Sequence, residues 1–372
     1  MVRRRYRAEF KLGAREEFDV MRRGGQGNNG EIGGAWGARR SMLIALAGAL
    51  GIGCRSLPPP EPFTGHIPPF QEDRPFAVVS DLQRTALIEF WRESNARERE
   101  LVIQAIAAAR PAFLAITGDL VFSGGSPEQW ADLDALCAPL REASIPVVAA
   151  FGNHEYWGGA EGEDHFFARF PHLERQHWYS LAYGPVRLVF LDSNIDELTE
   201  AGWRRQLAWY ERTITDFDRD PDVRGVLVLL HHPPYTNSSV TGDEKHVQRD
   251  FVPAFRCANK TLAMISGHVH SYERFVRDGK TFVVSGGGGG PRARLRMGDR
   301  RQHKDDSLKA SALRNFHYLT FRAGKTGLEV TATGLPKGGS EWGVLDRFEL
   351  PWGHKPAVNG CGAKATAGAQ PQ

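Results

Sequence analysis

Two histidines separated by one residue stand just after a short apolar segment. His268 and His270 follow residues 261–265, whose length and composition predict a buried strand that ends at a turn. Alternate residues of an extended chain project to the same side, so both imidazoles can face one point. A His-x-His pair alone is weak evidence of a binding site, because such pairs also occur on ordinary polar surfaces. The evidence is strengthened by four further apolar segments that end in residues able to bind metal.

Those four segments end near residues 80, 117, 151 and 230, and strand ends are where α/β sheets build their sites. Across the five ends, the polar residues are Asp81, Gln83, Asp119, Asn153, His154, His231, His232, His268 and His270. Carboxylate, amide and imidazole groups suit borderline divalent or ferric ions. The set exceeds the needs of one ion, and a two-metal site with a shared carboxylate uses it fully. Each residue alone has a bland structural alternative, such as capping a helix or packing, but five coincidences favour a site.

Strands and helices alternate between these segments. Apolar spacing predicts a helix over 85–109, and Ser126-Pro127-Glu128-Gln129 is an N-cap with proline at the first helical position, opening a helix to about Glu142. A further helix is predicted over 200–217. The run Gly286–Gly290 lacks the Lys-Ser/Thr of a phosphate loop, so we expect a backbone that passes close to the site. Two hairpin strands, 317–322 and 327–333, close the pattern.

In this order, the strand-end motifs resemble the five blocks of the calcineurin-like metallophosphoesterases. They are Asp81-x-Gln83, Gly118-Asp119, Gly152-Asn153-His154-Glu155, His231-His232-Pro233 and Gly267-His268-x-His270. The resemblance covers about residues 76–335, and the ending 271–274 (Ser-Tyr-Glu-Arg) most resembles the purple acid phosphatase branch. It implies an α/β fold, a metallo-dependent-phosphatase-like four-layer αββα sandwich in which two mixed β-sheets are flanked by helices.

The resemblance also implies roles for individual residues. One metal ion would be held by Asp81, Gln83, Asp119 and His270. The other would be held by Asp119, Asn153, His231 and His268. Asp119 would bridge the two, and His231 rather than His232 would be the ligand, because the family's block places it two residues before the proline. His154 would contact the substrate phosphate without binding metal and protonate the leaving oxygen.

The function implied is a dinuclear-metal-dependent hydrolase of phosphate esters, in which a metal-bridging hydroxide attacks phosphorus and a small-molecule phosphate ester is the substrate. The cofactors would be two divalent or trivalent ions, chosen from Fe, Mn and Zn. Two residues depart from the pattern: Gln83 replaces the usual histidine, which favours Mn or Fe there, and Phe122 replaces the tyrosine that colours purple acid phosphatases. We therefore expect no purple colour.

Two alternatives stay open. The enzyme could instead be a phosphodiesterase or nucleotide pyrophosphatase, since selectivity lies in loops such as 156–180 and 236–250. The insertion 156–185 is rich in aromatic residues, which we interpret as packing against the core and not as a platform for substrate. A metal-poor binding module of the same fold is an alternative of another class. His246 and His317 lie outside the motifs and are interpreted as ordinary histidines.

Charge and composition limit the classes of partner that the chain could bind. The chain has 372 residues and a formal charge of +3, but the first fifty residues hold ten Lys/Arg against five Asp/Glu. The remainder is slightly acidic, so no nucleic-acid-binding signature is present, and no protein partner is inferred. Three cysteines, Cys137, Cys257 and Cys361, are widely spaced and predict neither a disulfide framework nor a metal knuckle.

The ends of the chain predict export. Residues 1–41 form a basic extension interpreted as disordered, which later methionines could leave untranslated, and 42–54 resemble an export signal with a lipobox ending at Cys54. Residues 55–75 form a Pro-rich tether, 76–350 the metallophosphoesterase domain and 351–372 a flexible tail. We expect a periplasmic or membrane-anchored lipoprotein held through Cys54. The alternative is a cytoplasmic protein with a misassigned start.

Overall fold

The structure is a computed structural model that describes residues 57–353, apart from 87, 88, 90, 309 and 310. The extension 1–41, the signal 42–54 with Cys54, and the tail from 354 with Cys361 lie outside these residues. The helices are α1 (Ala96–Ala109), α2 (Pro127–Leu136), α3 (Ala138–Glu142), α4 (Ala160–Arg169), α5 (Glu200–Arg219), α6 (Lys245–Asp250) and α7 (Val252–Cys257). The first six strands are β1 (Phe76–Val79), β2 (Leu114–Ile116), β3 (Val147–Ala149), β4 (Tyr179–Tyr183), β5 (Val186–Phe190) and β6 (Gly225–Leu229). The others are β7 (Thr261–Ser266), β8 (Tyr272–Arg277), β9 (Lys280–Ser285), β10 (Phe316–Ala323), β11 (Gly327–Leu335) and β12 (Gly343–Pro351).

The described strands form two mixed sheets of six. Sheet A has the order β12-β11-β10-β1-β2-β3, and sheet B has the order β4-β5-β6-β7-β9-β8. In sheet A, β1, β2 and β3 run parallel, and β10 pairs antiparallel with β1. In sheet B, β5, β6, β7 and β9 run parallel. The parallel strands therefore bring their carboxyl ends to one edge of each sheet.

Alternation along the strands divides their side chains between layers. In β1, Phe76 and Val78 pack in the core that also contains Val186 and Leu188 of β5, so this core lies between the sheets. The outer face of sheet A packs on α1 to α4, whereas the outer face of sheet B packs on α5 to α7. The predicted α/β sandwich of two mixed sheets flanked by helices is confirmed.

The predicted helix over 85–109 is wrong in its first part, because α1 begins only at Ala96. The preceding loop bonds to the glycine-rich segment instead: Asn95 Nδ2 donates to Gly290 O at 3.0 Å, and Arg92 donates to Pro291 O at 3.0 Å. The Ser126 cap is present, with its side chain accepting from the Gln129 N–H, but the helix ends at Leu136 before the short α3.

Several short elements of the structure were not predicted from the sequence. Strands β4, β8 and β12 and helix α6 were assigned to insertions, loops or no element, whereas the hairpin of β10 and β11 is confirmed. Cys257 is disulfide-bonded, a bond that the cysteine spacing did not indicate, while Cys137 is free and buried. None of the described helices has the length and apolar composition needed to span a bilayer.

Part of the predicted tether packs on the domain. Phe63 is buried and stacks on Phe170 with ring centroids 5.2 Å apart, and its N–H donates to Arg169 O at 2.8 Å. Thr64 O accepts from the N–H of Val147 in β3 at 3.0 Å. Contacts with the domain therefore begin before β1.

Candidate metal centre

The nine sequence-predicted residues all follow the carboxyl ends of five strands. Sheet A supplies the residues after β1, β2 and β3, and sheet B supplies those after β6 and β7. The structure brings seven of them together in two adjoining groups that share Asp119, and His154 and His232 lie beside these groups. The described residues contain candidate cation-binding groups in the same place, one of Asp81, Asp119 and His270 and another of His231, His232 and His268.

The first group surrounds the ring of His270. Its Nε2 lies 3.3 Å from Asp81 Oδ1 and 3.0 Å from Gln83 Nε2. Gln83 Nε2 also lies 3.3 Å from Asp119 Oδ2. The four residues assigned to one ion by the family resemblance thus converge, and all four are buried.

The second group surrounds the ring of His231. Its Nε2 lies 3.2 Å from Asp119 Oδ2 and 3.1 Å from Asn153 Oδ1. His268 Nδ1 lies 3.0 Å from Asn153 Oδ1 and 3.2 Å from His231 Nε2. Asp119 Oδ2 therefore contacts both groups, which is the geometry that a bridging carboxylate requires.

Backbone carbonyls select the tautomers of two of these histidines. His231 Nδ1 donates to Thr117 O at 2.9 Å, and His270 Nδ1 donates to Pro291 O at 2.8 Å. In the neutral ring this leaves the Nε2 lone pair directed at the cluster, as in histidines whose second nitrogen binds metal.

The donor atoms fit a cation, and Gln83 supplies the most direct sign. Its Oε1 is buried and has no hydrogen-bond partner, a costly state for an amide oxygen. A half-turn of the amide would exchange Oε1 with Nε2 and direct the oxygen at Asp119 and His270. A bound cation would favour that orientation, so the residues present fit a metal at this position.

Three of the predicted ligands have a left-handed backbone. The φ angles are 61° at Asp81, 54° at Asp119 and 65° at His268. For residues with a Cβ this conformation costs roughly 1 kcal/mol each. The turns redirect the chain at the strand ends, so the strain is a cost of converging the side chains.

Glu155 braces the strained turn at Asp119. Its buried carboxylate accepts N–H groups of Asp119 at 2.9 Å, Leu120 at 2.8 Å and Gly152 at 2.7 Å. Burial and the nearby Asp119 charge raise the pKa of Glu155 to about 7. Glu155 is a positioning residue that was quoted in the sequence motif but given no role there.

The glycine run passes close to two of the predicted ligands, Asp81 and His270, as expected from the sequence. A Cβ at Gly286 would lie 2.7 Å from Asp81 Oδ2, and one at Gly290 would lie 2.6 Å from His270 Cε1. The N–H of Gly290 donates to Asp81 O at 2.9 Å. Only a chain without side chains can approach both ligands this closely.

His154 stands beside the cluster with a partly exposed ring. Its Nδ1 donates to Phe122 O at 2.6 Å, and its Nε2 lies 3.6 Å from Asp119 Oδ2. Trp157, which is 36% exposed, packs on this ring with centroids 3.8 Å apart. Most other aromatics of the insertion, such as Phe166 and Phe167, are buried in the core.

His232 points to a different partner from His231. Its Nδ1 lies 2.8 Å from Ser193 Oγ, whose oxygen also accepts the His232 N–H at 3.0 Å. Its ring lies 4.6 Å from that of His268. His232 therefore lines the second group from outside, and burial together with the neighbouring His268 and His231 lowers its pKa well below the usual value.

Protons and metal ions compete for this site. Burial opposes the charge of Asp119, but His154 and His231 outweigh it and hold the pKa of Asp119 below its usual range. Burial likewise opposes protonation of His231, yet Asp119 raises its pKa to about 9, whereas burial and His231 lower the pKa of His268 to about 3. Without another cation, a proton is held between Asp119 and His231, and metal binding would displace it.

Asp192 is a strand-end carboxylate with a supporting role. Tyr156 donates a short hydrogen bond to its Oδ2, and His177 Nδ1 lies 3.1 Å from the same oxygen. Gln206 accepts the Asp192 N–H at 2.7 Å and donates to its carbonyl at 2.8 Å. The network ties the loop after β3 to sheet B. In the sequence, the only sign of this role is that Asp192 follows the end of β5.

We predict that, in metal-free protein, His268→Gly is more stable than His268→Ala by about 1 kcal/mol, because only glycine tolerates the left-handed φ without strain. Chemical denaturation measures the difference. His270, which is not among the left-handed residues, is the control, and there alanine should be at least as stable as glycine. Equal stability of the two His268 variants would contradict the strain argument.

We predict that Gly290→Ala weakens metal binding about tenfold or more, as changes behind a ligand commonly do, because the new methyl displaces the His270 ring. Metal titration of the folded variant measures this. Gly343→Ala in β12 is the matched control, since a Cβ there meets nothing within 4 Å. Unchanged affinity in Gly290→Ala would show that the close approach is irrelevant to the ligand.

Comparison with known proteins places this site in a family. The model of the Calcineurin-like phosphoesterase family matches residues 74–272. Purple acid phosphatase 22 of Arabidopsis thaliana is 26% identical over 225 residues, which are 58% of this chain and 48% of that protein. The chain thus spans about half the length of this curated relative.

Solved structures share the fold. A purple acid phosphatase, PPD1, from yellow lupin (Lupinus luteus) seeds has a TM-score of 0.61 at 19% identity, covering 82% of this chain and 58% of the other. A dimetal phosphatase from Danio rerio has a TM-score of 0.54 at 15% identity, covering 76% of this chain and 100% of the other. With the family match over 74–272, these findings show that the chain belongs to the calcineurin-like phosphoesterase family, close to its purple acid phosphatase branch.

Proposed function

We propose that this protein is a dinuclear-metal-dependent hydrolase of phosphate esters. The observation that supports it best is the position of Asp119 Oδ2, which lies 3.2 Å from His231 Nε2 in one ligand group and 3.3 Å from Gln83 Nε2 in the other. One carboxylate oxygen is therefore shared by two complete donor sets. The Danio rerio neighbour is described as a dimetal phosphatase, which agrees with two ions.

The first ion would be held by Asp81, Gln83, Asp119 and His270. The second would be held by Asp119, Asn153, His231 and His268. When bound, such ions supply the acidification of a water molecule and the neutralisation of phosphoryl charge that in-line hydrolysis needs. Metal identity stays open among Fe, Mn and Zn, and the amide oxygen of Gln83 favours Mn or Fe in the first position.

The residues of the chain divide the remaining work. His154 Nδ1 donates to Phe122 O, so Nε2 is the ring nitrogen left to exchange a proton with the substrate. Its ring is partly exposed beside Asp119, where it can contact a phosphate oxygen and protonate the departing alkoxide. Phe122 offers no ligand atom and packs with ring centroids 5.2 Å from His154, in keeping with an enzyme that is not purple.

The decisive experiment measures metal content and hydrolysis together. We expect metal-loaded protein to hydrolyse an aryl phosphate monoester, and Asp119→Ala to abolish this activity. His154→Ala should lower kcat by roughly 10²- to 10⁴-fold while both ions stay bound. If the His154→Ala variant loses metal, His154 is a metal ligand and not the proton donor. Wild-type protein that binds less than one ion and hydrolyses nothing would instead support the metal-poor binding module.

The substrate class needs a wider panel. Monoesters, diaryl diesters, cyclic nucleotides and nucleotide pyrophosphates should be compared on the same metal-loaded preparation. We expect monoesters to have the highest kcat/KM. A preference for diesters or pyrophosphates would favour the phosphodiesterase alternative.

We also propose that the protein is exported and anchored through a lipid on Cys54. The disulfide at Cys257 supports this, because disulfides persist in oxidising compartments. We expect the mature chain in the membrane fraction, with a mass that corresponds to lipid-modified Cys54 at its N-terminus. A cytosolic chain that retains residues 42–54 would contradict the proposal.

A further inference from the structure

We propose that a pocket formed by Arg294, Arg296 and Arg300 is a second anion-binding subsite, which selects substrates carrying a second phosphate distant from the one hydrolysed. The proposal rests on the proposed function, because it assigns the selectivity of the same active site. The pocket has a volume of about 590 Å³, and its apolar walls include Leu295 and Met297.

The backbone presents two of the arginines on one side. Leu295 pairs with Ser238 in an isolated antiparallel bridge and is buried. In such an extended segment the residues on either side of Leu295 project the opposite way, so Arg294 and Arg296 point outward together. Ser239 fixes the segment, since its N–H and Oγ donate to Arg294 O at 2.9 and 2.8 Å. A 3-10 turn, Gly298–Arg300, adds the third arginine.

The three guanidinium groups have no carboxylate within ion-pair distance among the described residues. The nearby Arg292, by contrast, forms an ion pair with Glu93, with Nη2 2.7 Å from Oε1. Asp299, the one acid in this stretch, is fully exposed and lies 3.9 Å from Lys304 instead. Three like charges around one concavity repel one another, and a bound anion relieves that repulsion. Guanidinium groups bind phosphate through paired N–H donors.

The pocket follows a segment of the chain that contacts a predicted metal ligand. Pro291 O holds His270 Nδ1, and Ala293 N–H donates to His270 O at 3.0 Å. Arg294 follows three residues after Pro291, so their Cα atoms are at most about 11 Å apart. On this proposal, a substrate with one phosphate at the ions and another about 10 Å away would occupy both sites.

A matched pair of ligands tests the proposal on metal-loaded protein. The substrates are 1,6-hexanediol bisphosphate and hexyl phosphate, and the hydrolysis-resistant probes are 1,6-hexanebisphosphonate and hexylphosphonate. Wild-type protein should show roughly tenfold lower KM and Kd for the doubly charged member, the size expected of two partly exposed arginine contacts. This exceeds the twofold statistical advantage of two equivalent ends.

Arg294→Ala/Arg296→Ala should abolish the difference while kcat and KM for hexyl phosphate stay unchanged. Arg205→Ala/Arg212→Ala on α5 removes the same amount of positive charge. This control variant should keep the preference for the doubly charged ligand. Equal binding of both probes to wild-type protein, or the same loss in the control, overturns the subsite. So does arginine-dependent binding of inorganic phosphate alone with no preference for the bisphosphonate.

The probes separate this proposal from the proposed function. If neither ester is hydrolysed but bisphosphonate binding still depends on Arg294 and Arg296, the subsite stands and the hydrolase assignment fails. If both esters are hydrolysed equally well, the hydrolase stands and the subsite fails.

Discussion

Crowding of buried polar side-chain atoms around Asp119 is the constraint on which the rest of this domain depends. Oxygen and nitrogen atoms of five side chains approach Asp119 and one another at 3.0–3.3 Å with little solvent around them. Burying such groups without a compensating cation is costly. The left-handed turns, the glycine run and the brace at Glu155 all serve to hold the donors at these distances.

The two sheets contribute unlike chemistry to that cluster. Sheet A supplies the carboxylates and amides after β1, β2 and β3, and sheet B supplies imidazoles after β6 and β7. The core between the sheets therefore sets the distance between acid and base groups. The glycine segment connects them as well, because Gly288 N–H donates to Ser80 O and Gly290 N–H donates to Asp81 O, both at 2.9 Å.

The sequence predicted the parts of the molecule whose signal is local. Apolar segments ending at Asp119 or His268 predict strand and site together, because strand ends and ligands coincide. It could not predict that α1 starts at Ala96, since the loop before it is fixed by Gly290 and Pro291, nearly two hundred residues away. Asp192 ends a strand just as the ligands do, and only its contacts with Tyr156 and His177 distinguish its supporting role. Likewise, the net charge of the chain gave no sign that one pocket is lined by Arg294, Arg296 and Arg300, because the fold brings them together.

The segment before β1 has a consequence for the exposed edge of sheet A. β3 is the outermost strand of sheet A, and Thr64 O covers its exposed N–H at Val147 while Phe63 fills an adjoining apolar gap. Uncovered edge strands recruit other chains. A chain trimmed to the family boundary at residue 74 would leave this edge open to pairing with other chains, which Phe63 and Thr64 hinder in the longer chain.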